Sequence, residues 1–344
     1  MLARLARELP AGDLLYEPKW DGFRCLAFAA GPGAVDLRSR NHRPLARYFP
    51  ELVAALGALP LPAVLDGEIV SAAPGRGFEA LLARLHPSPS RVARLARESP
   101  ATLVAFDLLA LAGDDLRERP FAERRARLDR VLRRVTPALQ LTPATEDPAL
   151  ARAWLEAPVG SGIDGVVAKR KDLPYSPGRR TMVKVKRERT ADCVVAGFRT
   201  YAGVPAVASL LLGLWDAAGA LVHVGVAASF PDADRLALFD ALSPLSAPLA
   251  GHPWERGFNL GASPLGRLAG SAGRWDPAAM TLDWTAIAPP PVAEVAYDQL
   301  DRLRFRHPAR FVRWRPDRDA RSCTLGQLEL APAPPPGGAA PEVP

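Results

Sequence analysis

The sequence predicts an α+β protein of two folded domains, and three observations carry that expectation. Up to about residue 188, short apolar, β-branched runs alternate with longer runs whose apolar residues recur at helical spacing; beyond it the runs are mostly strand-like. The chain of 344 residues is long enough for two domains of ordinary size, and 48% hydrophobic content supports a core in each. The charged stretch Arg187-Glu188-Arg189-Thr190 resets the pattern, which places the domains at 1–188 and 189–330.

In the first domain the expected strands are 24–30, 35–39, 64–70, 103–108, 165–168 and 182–186. The expected helices are 78–85, 91–97, 120–135 and 150–157. Pro120 suits a first helical turn, where a missing N–H costs nothing, and Thr136-Pro137 closes the same helix. The second domain opens with strands at 193–198, 209–215 and 221–227, the last two joined by a hairpin turn at Ala218-Gly219. A helix at 232–242 and a loop-rich stretch precede strands at 291–297 and 311–315. Five short strands with a helix partway along describe a small barrel of OB type; the pattern also admits a sandwich. The tail 331–344, APAPPPGGAAPEVP, is expected to be disordered.

Net charge of +7 and a pI near 9.7 favour a polyanionic partner, nucleic acid ahead of a membrane surface; the alternative is a solvated, Arg-rich exterior. Three cysteines, far apart, build neither a disulfide framework nor a CxxC zinc site, which fits a reducing cytoplasm. The start MLARLARELP lacks the apolar centre of a signal peptide. The longest uncharged run, 200–215, is broken by Gly203, Pro205 and Gly213 and is too short to span a bilayer.

Lysine has nearly vanished from this chain. Of 44 basic residues five are Lys: Lys19, then Lys169, Lys171, Lys184 and Lys186. Arg can replace Lys wherever charge alone matters, but guanidinium stays protonated and cannot attack as an amine. The retained lysines are therefore candidates for amine chemistry or phosphate contact. Lys19, in Glu17-Pro18-Lys19-Trp20-Asp21-Gly22-Phe23-Arg24, is expected on a tight turn between two strands, with glycine allowing close approach of a ligand. Nucleophilicity near neutral pH requires a lowered pKa, through burial or a nearby cation such as a divalent metal.

Glu68 in Asp66-Gly67-Glu68 and Asp164 in Asp164-Gly165 stand in matching contexts beside apolar strands. Each is expected at a sheet edge facing a cleft, as a sparse oxygen ligand of Mg²⁺. Taken singly, either Asp-Gly reads equally as an ordinary turn. Lys184 and Lys186 share one strand face by period two, a placement that favours an anion such as a triphosphate between them; the alternative is a solvated edge.

Together these residues resemble the covalent nucleotidyltransferase superfamily, and specifically ATP-dependent DNA ligases. Lys19-Trp20-Asp21-Gly22 with Arg24 is similar to the family's first motif, and Arg38-Ser39-Arg40-Asn41 to the next. Asp66-Gly67-Glu68, Phe106-Asp107, Asp164-Gly165 through Lys169, and Lys184-Val185-Lys186 resemble the following ones. Arg313-Trp314-Arg315-Pro316-Asp317-Arg318 resembles the last. Two departures stand out: Asp164 replaces the usual Glu, and Asp317-Arg318 replaces a frequent Asp-Lys.

The resemblance implies a nucleotidyltransferase domain of antiparallel sheets and helices followed by an OB barrel. It implies that Lys19 takes AMP from ATP, passes it to the 5′-phosphate of nicked duplex DNA, and that a 3′-hydroxyl then displaces it. In that frame Glu17 lies at the adenine and Phe106 stacks on it, although from the residues alone Phe106 reads as core. Arg24 and Arg40 reach ribose or phosphate, Arg40 also DNA; Lys184, Lys186, Arg315 and Arg318 serve the ATP phosphates. Glu68 and Asp164 hold Mg²⁺ or Mn²⁺. The same resemblance implies the small bacterial repair type similar to ligase C and the ligase domain of ligase D: a monomer, cytoplasmic and nucleoid-associated, with no membrane partner. A Ku-like end binder or a separate polymerase is its candidate repair partner. RNA ligases and mRNA-capping guanylyltransferases share the lysine chemistry and are the alternatives within the superfamily. A non-catalytic OB-type nucleic-acid binder is the alternative outside it.

Overall fold

The computed structural model describes residues 1–71, 77–133, 136–157, 162–201, 203–255, 283–301 and 303–328; the expected disordered tail lies outside them. The chain divides into two compact units, Met1–Arg187 and Glu188–Leu330.

The first unit opens with β1 (Ala3–Ala6) and β2 (Leu14–Trp20), then turns at Asp21-Gly22 into β3 (Phe23–Ala29) and β4 (Val35–Ser39). Helix α1 (Pro50–Gly57) leads to β5 (Ala63–Ser71), and helices α2 (Gly77–Arg84) and α3 (Pro89–Glu98) lead to β6 (Ala101–Leu111). Then follow β7 (Asp114–Asp115), α4 (Phe121–Leu132), β8 (Leu139–Leu141), α5 (Pro148–Leu155), β9 (Ile163–Arg170) and β10 (Met182–Val185). Ser88 and Asp147 cap α3 and α5 through side-chain oxygens that accept from backbone N–H groups.

These strands form two sheets. One runs β4-β3-β5-β6-β7 with β8 beside β6; the other runs β1-β10-β9-β2. All ladders are antiparallel except two short pairings, β1 with β10 and β6 with β8. β6 is buried on both faces, so it reads as an apolar run interrupted only by Thr102 and Asp107. Leu52 and Leu56 of α1 and Leu128 and Leu132 of α4 pack with Leu37, Leu65 and Leu103 of the larger sheet. Asp107 on β6 is neutralised by Arg124 of α4 through Nε at 2.7 Å and Nη2 at 2.9 Å, both residues fully buried. Removing either partner strands a buried charge, at a cost of about 3–5 kcal/mol.

The second unit holds β11 (Arg189–Tyr201), β12 (Val204–Trp215), β13 (Leu221–Ala227), α6 (Asp232–Leu242) and the short β14 (Ser246–Ala247). It continues with β15 (Thr285–Ile287), β16 (Val292–Tyr297), the short hairpin β17 (Leu300–Asp301) and β18 (Arg304–Phe305), and β19 (Arg310–Trp314). β13 pairs β12, β12 pairs β11, β11 pairs β16, and β16 pairs β19. A parallel bridge from Ala227 to Ala309, one residue before β19, brings the two ends of this series together. Five strands closed in this order, with the helix between the third and fourth, are the OB topology. The expected barrel is present and the sandwich is not.

Local pattern located most strands but missed β1, β2, β7, β8 and α1 in the first unit and the short β14, β15, β17 and β18 in the second. β2 reads LLYEPKW, and its Glu, Pro and Lys conceal it. They point into a cavity that composition alone does not reveal.

Candidate active site

Lys19 does not sit on the expected turn. It lies in β2, and the turn is the following Asp21-Gly22. Glycine is required there: a Cβ at Gly22 would lie 2.0 Å from the carbonyl oxygen of Ile69 on β5. Gly165 plays the same part on β9, with φ of +131° and a virtual Cβ 2.1 Å from the carbonyl oxygen of Val185. These two close approaches bring β2, β5, β9 and β10 around one space.

That space is an open cavity of about 280 Å³ between the two sheets of the first unit. Its lining includes Glu17, Lys19, Arg24, Arg40, Glu68, Phe106, Lys169 and Lys184, together with Arg180, which sequence reasoning did not single out. Lys19 Nζ donates to Asp164 Oδ2 at 2.6 Å. Lys186 Nζ lies 2.9 Å from the same oxygen. Lys184 Nζ has no ion-pair partner among the described residues, and burial pushes its ammonium pKa down, aided by the charges of Lys186 and Lys19. Lys184 is therefore available to a ligand, whereas Lys186 is already engaged.

Neither metal candidate stands at a sheet edge as expected: Glu68 is on β5 and Asp164 on β9, both interior strands. Burial pushes the Glu68 carboxyl up to about 8, opposed by Lys19 and Arg24. Its carboxylate has no hydrogen bond or ion pair among the described residues, so it offers oxygen donors to a hard cation. Asp164 offers fewer, because two ammonium groups occupy one of its oxygens.

The inner wall is more densely paired. Glu17, 2% exposed, is held by Lys169 Nζ at 2.6 Å and by Arg125 Nη1 at 3.1 Å. Burial pushes its carboxyl up while those two cations pull it down. Arg125 also donates to the carbonyl of Thr142, whose hydroxyl accepts from Trp20 Nε1 at 2.8 Å. Residues on both sides of Lys19 are thus tied to one node, Arg125–Thr142, that no local motif announces. Lys169 Nζ lies 4.6 Å from the centroid of the Phe106 ring, which is half-buried and lines the cavity. Arg24 is fixed by Asp66 through Nε at 3.1 Å and Nη2 at 2.7 Å, and Tyr175 donates to the same carboxylate at 2.8 Å.

Arg315 and Arg318 belong to the second unit. Arg315 Nη1 contacts both oxygens of Asp192, at 2.9 and 3.0 Å, while its Nη2 meets Asp317 at 2.8 Å. Arg318 Nε lies 3.4 Å from Asp192. Arg313 pairs instead with Glu294 at 2.7 Å. Asp192 was not singled out from the sequence either. Among the described residues no group of three or more His, Cys, Asp or Glu side chains is arranged to hold a metal by protein ligands alone, and no helix is long and apolar enough to cross a membrane.

A lysine-bearing strand over a cation-lined cavity, followed by an OB barrel, is the arrangement of a covalent nucleotidyltransferase. The model of the ATP dependent DNA ligase domain matches residues 1–186, and that of the ATP dependent DNA ligase C terminal region matches 204–318. The chain belongs to the ATP-dependent DNA ligase family. DNA ligase C2 of Mycolicibacterium smegmatis is 51% identical over 336 residues, covering 96% of this chain and 94% of that protein. DNA ligase C of Mycobacterium tuberculosis is 48% identical over 336 residues, covering 96% and 93%. The solved structure of a Lig E DNA ligase superposes with a TM-score of 0.55 at 18% identity, covering 91% of this chain and 98% of that one, a likeness of fold. The chain is an ATP-dependent DNA ligase, with ATP as one substrate and nicked DNA as the other.

Proposed function

We propose that this ligase seals 5′-phosphate/3′-hydroxyl nicks through an AMP adduct on Lys19, and that it acts in DNA repair. One observation carries the assignment: the Lys19 amine opens on the cavity, 2.6 Å from the buried carboxylate of Asp164 and close to the charges of Lys184 and Lys186. Attack on the α-phosphate needs a free lone pair on Nζ, so Lys19 must give up a proton, and Asp164 Oδ2 is its hydrogen-bond partner. The N–P bond forms as the bond to pyrophosphate breaks. Lys184, Arg40 and Arg180 supply positive charge for the departing oxygens, and the Glu17–Lys169–Arg125 set holds the β2 strand while Phe106 offers a face to the base.

AMP then passes to the 5′-phosphate, Lys19 leaving as an amine, and the 3′-hydroxyl displaces AMP to form the phosphodiester. A divalent cation, Mg²⁺ or Mn²⁺, supplies charge neutralisation at the phosphates when bound, with Glu68 as its available ligand and Asp164 as a second once a lysine contact is exchanged. Arg40, exposed at the cavity rim, suits contact with the DNA backbone. A Ku-like end binder or a separate polymerase fits the repair reading.

The test is incubation of the purified chain with labelled ATP and either metal, followed by a nicked duplex. The expected result is a covalent AMP adduct of one equivalent and conversion of the nick to a continuous strand. Absence of an adduct under both metals would overturn the proposal. Adduct formation with sealing confined to RNA would move the substrate.

A further inference from the structure

In the second unit one guanidinium is buried without a counter-charge among the described residues. Arg199 of β11 is 2% exposed, yet its Nε and Nη2 have no hydrogen-bond partner among the described residues. No carboxylate acts on it among the described residues, and burial alone pushes the guanidinium pKa down. Its cross-strand partner is Ser209 of β12, also 2% exposed, whose Oγ likewise has no partner among the described residues. Arg199 and Ser209 are directly opposed and so share one face of the sheet, opposite to that of Phe198 and Leu210, and His223, paired with Gly213 four residues beyond Ser209, lies on the same face. There Arg304 Nη2 lies 3.2 Å from His223 Nδ1, and the charges of Arg304 and Arg199 both act on that imidazole.

Directly opposed residues have Cβ atoms about 5 Å apart, so the Arg199 fork and the Ser209 hydroxyl address one small volume. A buried guanidinium without an acceptor costs more than an apolar side chain of the same size, unless an anion meets it. The planar fork matches a tetrahedral oxyanion in bidentate fashion, and a hydroxyl adds a third donor. We propose that Arg199 and Ser209, with Arg304 nearby at His223, form a binding site for a phosphate-type oxyanion on that face of β11, β12 and β13.

That oxyanion has two sources: free inorganic phosphate, or a backbone phosphate of DNA. The second source rests on the ligase reading above; the first does not. Thermal unfolding of the full chain in chloride buffer, titrated with inorganic phosphate, reads the site directly. The wild type is expected to gain Tm saturably, and Arg199→Met to start at or above wild type without phosphate and to show an apparent phosphate Kd at least about ten-fold weaker. Phosphate taken up near Lys184 contributes equally to both proteins and cancels in the difference. For nicked duplex, a backbone source is expected to lower the slope of log K against log salt by about one in the variant, and a free-anion source to leave it unchanged. Should Arg199→Met fail to fold, Ser209→Ala is measured in the same way and is expected to weaken phosphate about three-fold or more. Identical phosphate dependence and identical salt slope in variant and wild type would overturn the site. Self-adenylylation of the wild type, run alongside, tests the ligase proposal by itself.

Discussion

Lys19 and Lys186 share a single oxygen: their Nζ atoms lie 2.6 and 2.9 Å from Asp164 Oδ2. One carboxylate, 4% exposed, therefore balances two ammonium groups on two different segments of chain. Asp164→Asn removes that charge and leaves the two cations facing each other. Self-adenylylation is expected to fall by about 100-fold or more, with Asp164→Glu retaining clearly more activity than the amide. Equal activity of the two variants, measured by label transfer from ATP, would mean that the carboxylate's charge is immaterial.

Lys19→Arg keeps a cation beside Asp164 but has no lone pair to offer. It is expected to yield no AMP adduct while melting within a degree or two of wild type. Sealing of a nick that already carries 5′-AMP should survive, because the last step does not use the lysyl adduct. Intact-mass analysis showing a wild-type level of adduct would remove Lys19 from the mechanism.

The lysines were legible because a composition biased to Arg made each retained Lys conspicuous, and Lys19 and Lys184 line the cavity while Lys186 holds Asp164. The barrel was legible because its strands are long apolar runs such as β12 and β13. What eluded sequence reasoning depends on distant pairing. Arg125 is 108 residues from Glu17, and Asp192 is 123 residues from Arg315. Before folding, Arg125 is one arginine among several on an amphipathic helix, and Asp192 one aspartate before an apolar strand. The placement of Lys19 on a strand escaped for a related reason: β2 turns charged groups toward a cavity, so its sequence does not alternate as a half-exposed strand does.

Arg125 gives a direct test of the node beneath the nucleophile. It touches Glu17 and the Thr142 carbonyl, which places it as a positioning residue. Arg125→Met is expected to raise KM for ATP by about ten-fold, the loss of one charge-assisted hydrogen bond, with a smaller effect on kcat. Arg125→Lys should recover part of the ATP affinity, which a purely packing role would not predict. An unchanged KM in Arg125→Met with wild-type stability would separate this arginine from the site.

His223 links stability to pH. Burial pushes its imidazole down to about 3 from 6.5, aided by Arg304 and Arg199. The folded state therefore keeps it neutral while the unfolded chain takes up a proton below 6.5. That contribution is fully present above pH 6.5 and is lost as pH falls towards 3, by about 1.4 kcal/mol per unit once the unfolded form is charged. His252, also lowered by burial, adds to the same limb. In phosphate-free buffer the slope of unfolding free energy between pH 6 and 5 should be shallower in His223→Gln than in wild type. Equal slopes from urea melts would mean that His223 is protonated in the folded chain.

Arg315 and Arg318 allow the reaction steps to be separated. Asp192 holds both arginines, and Asp317, its own carboxyl pulled down to about 2 by Arg315, holds the first from the other side. Guanidinium groups anchored by carboxylates keep their remaining N–H donors in a fixed direction, which suits recognition of phosphate oxygens. If they act on the triphosphate, they serve only the step in which pyrophosphate leaves. Arg315→Ala or Arg318→Ala should then reduce self-adenylylation at least about ten-fold more than sealing of a pre-adenylylated nick. Asp192→Asn should show the same split in milder form, since it loosens the arginines without removing them. Glu68→Gln supplies the contrast: an oxygen ligand for the cation at every phosphoryl step should matter to both assays alike. Equal loss of both activities in the Arg315 and Arg318 variants, with unfolding curves unchanged, would place these arginines on the DNA surface instead of at the ATP.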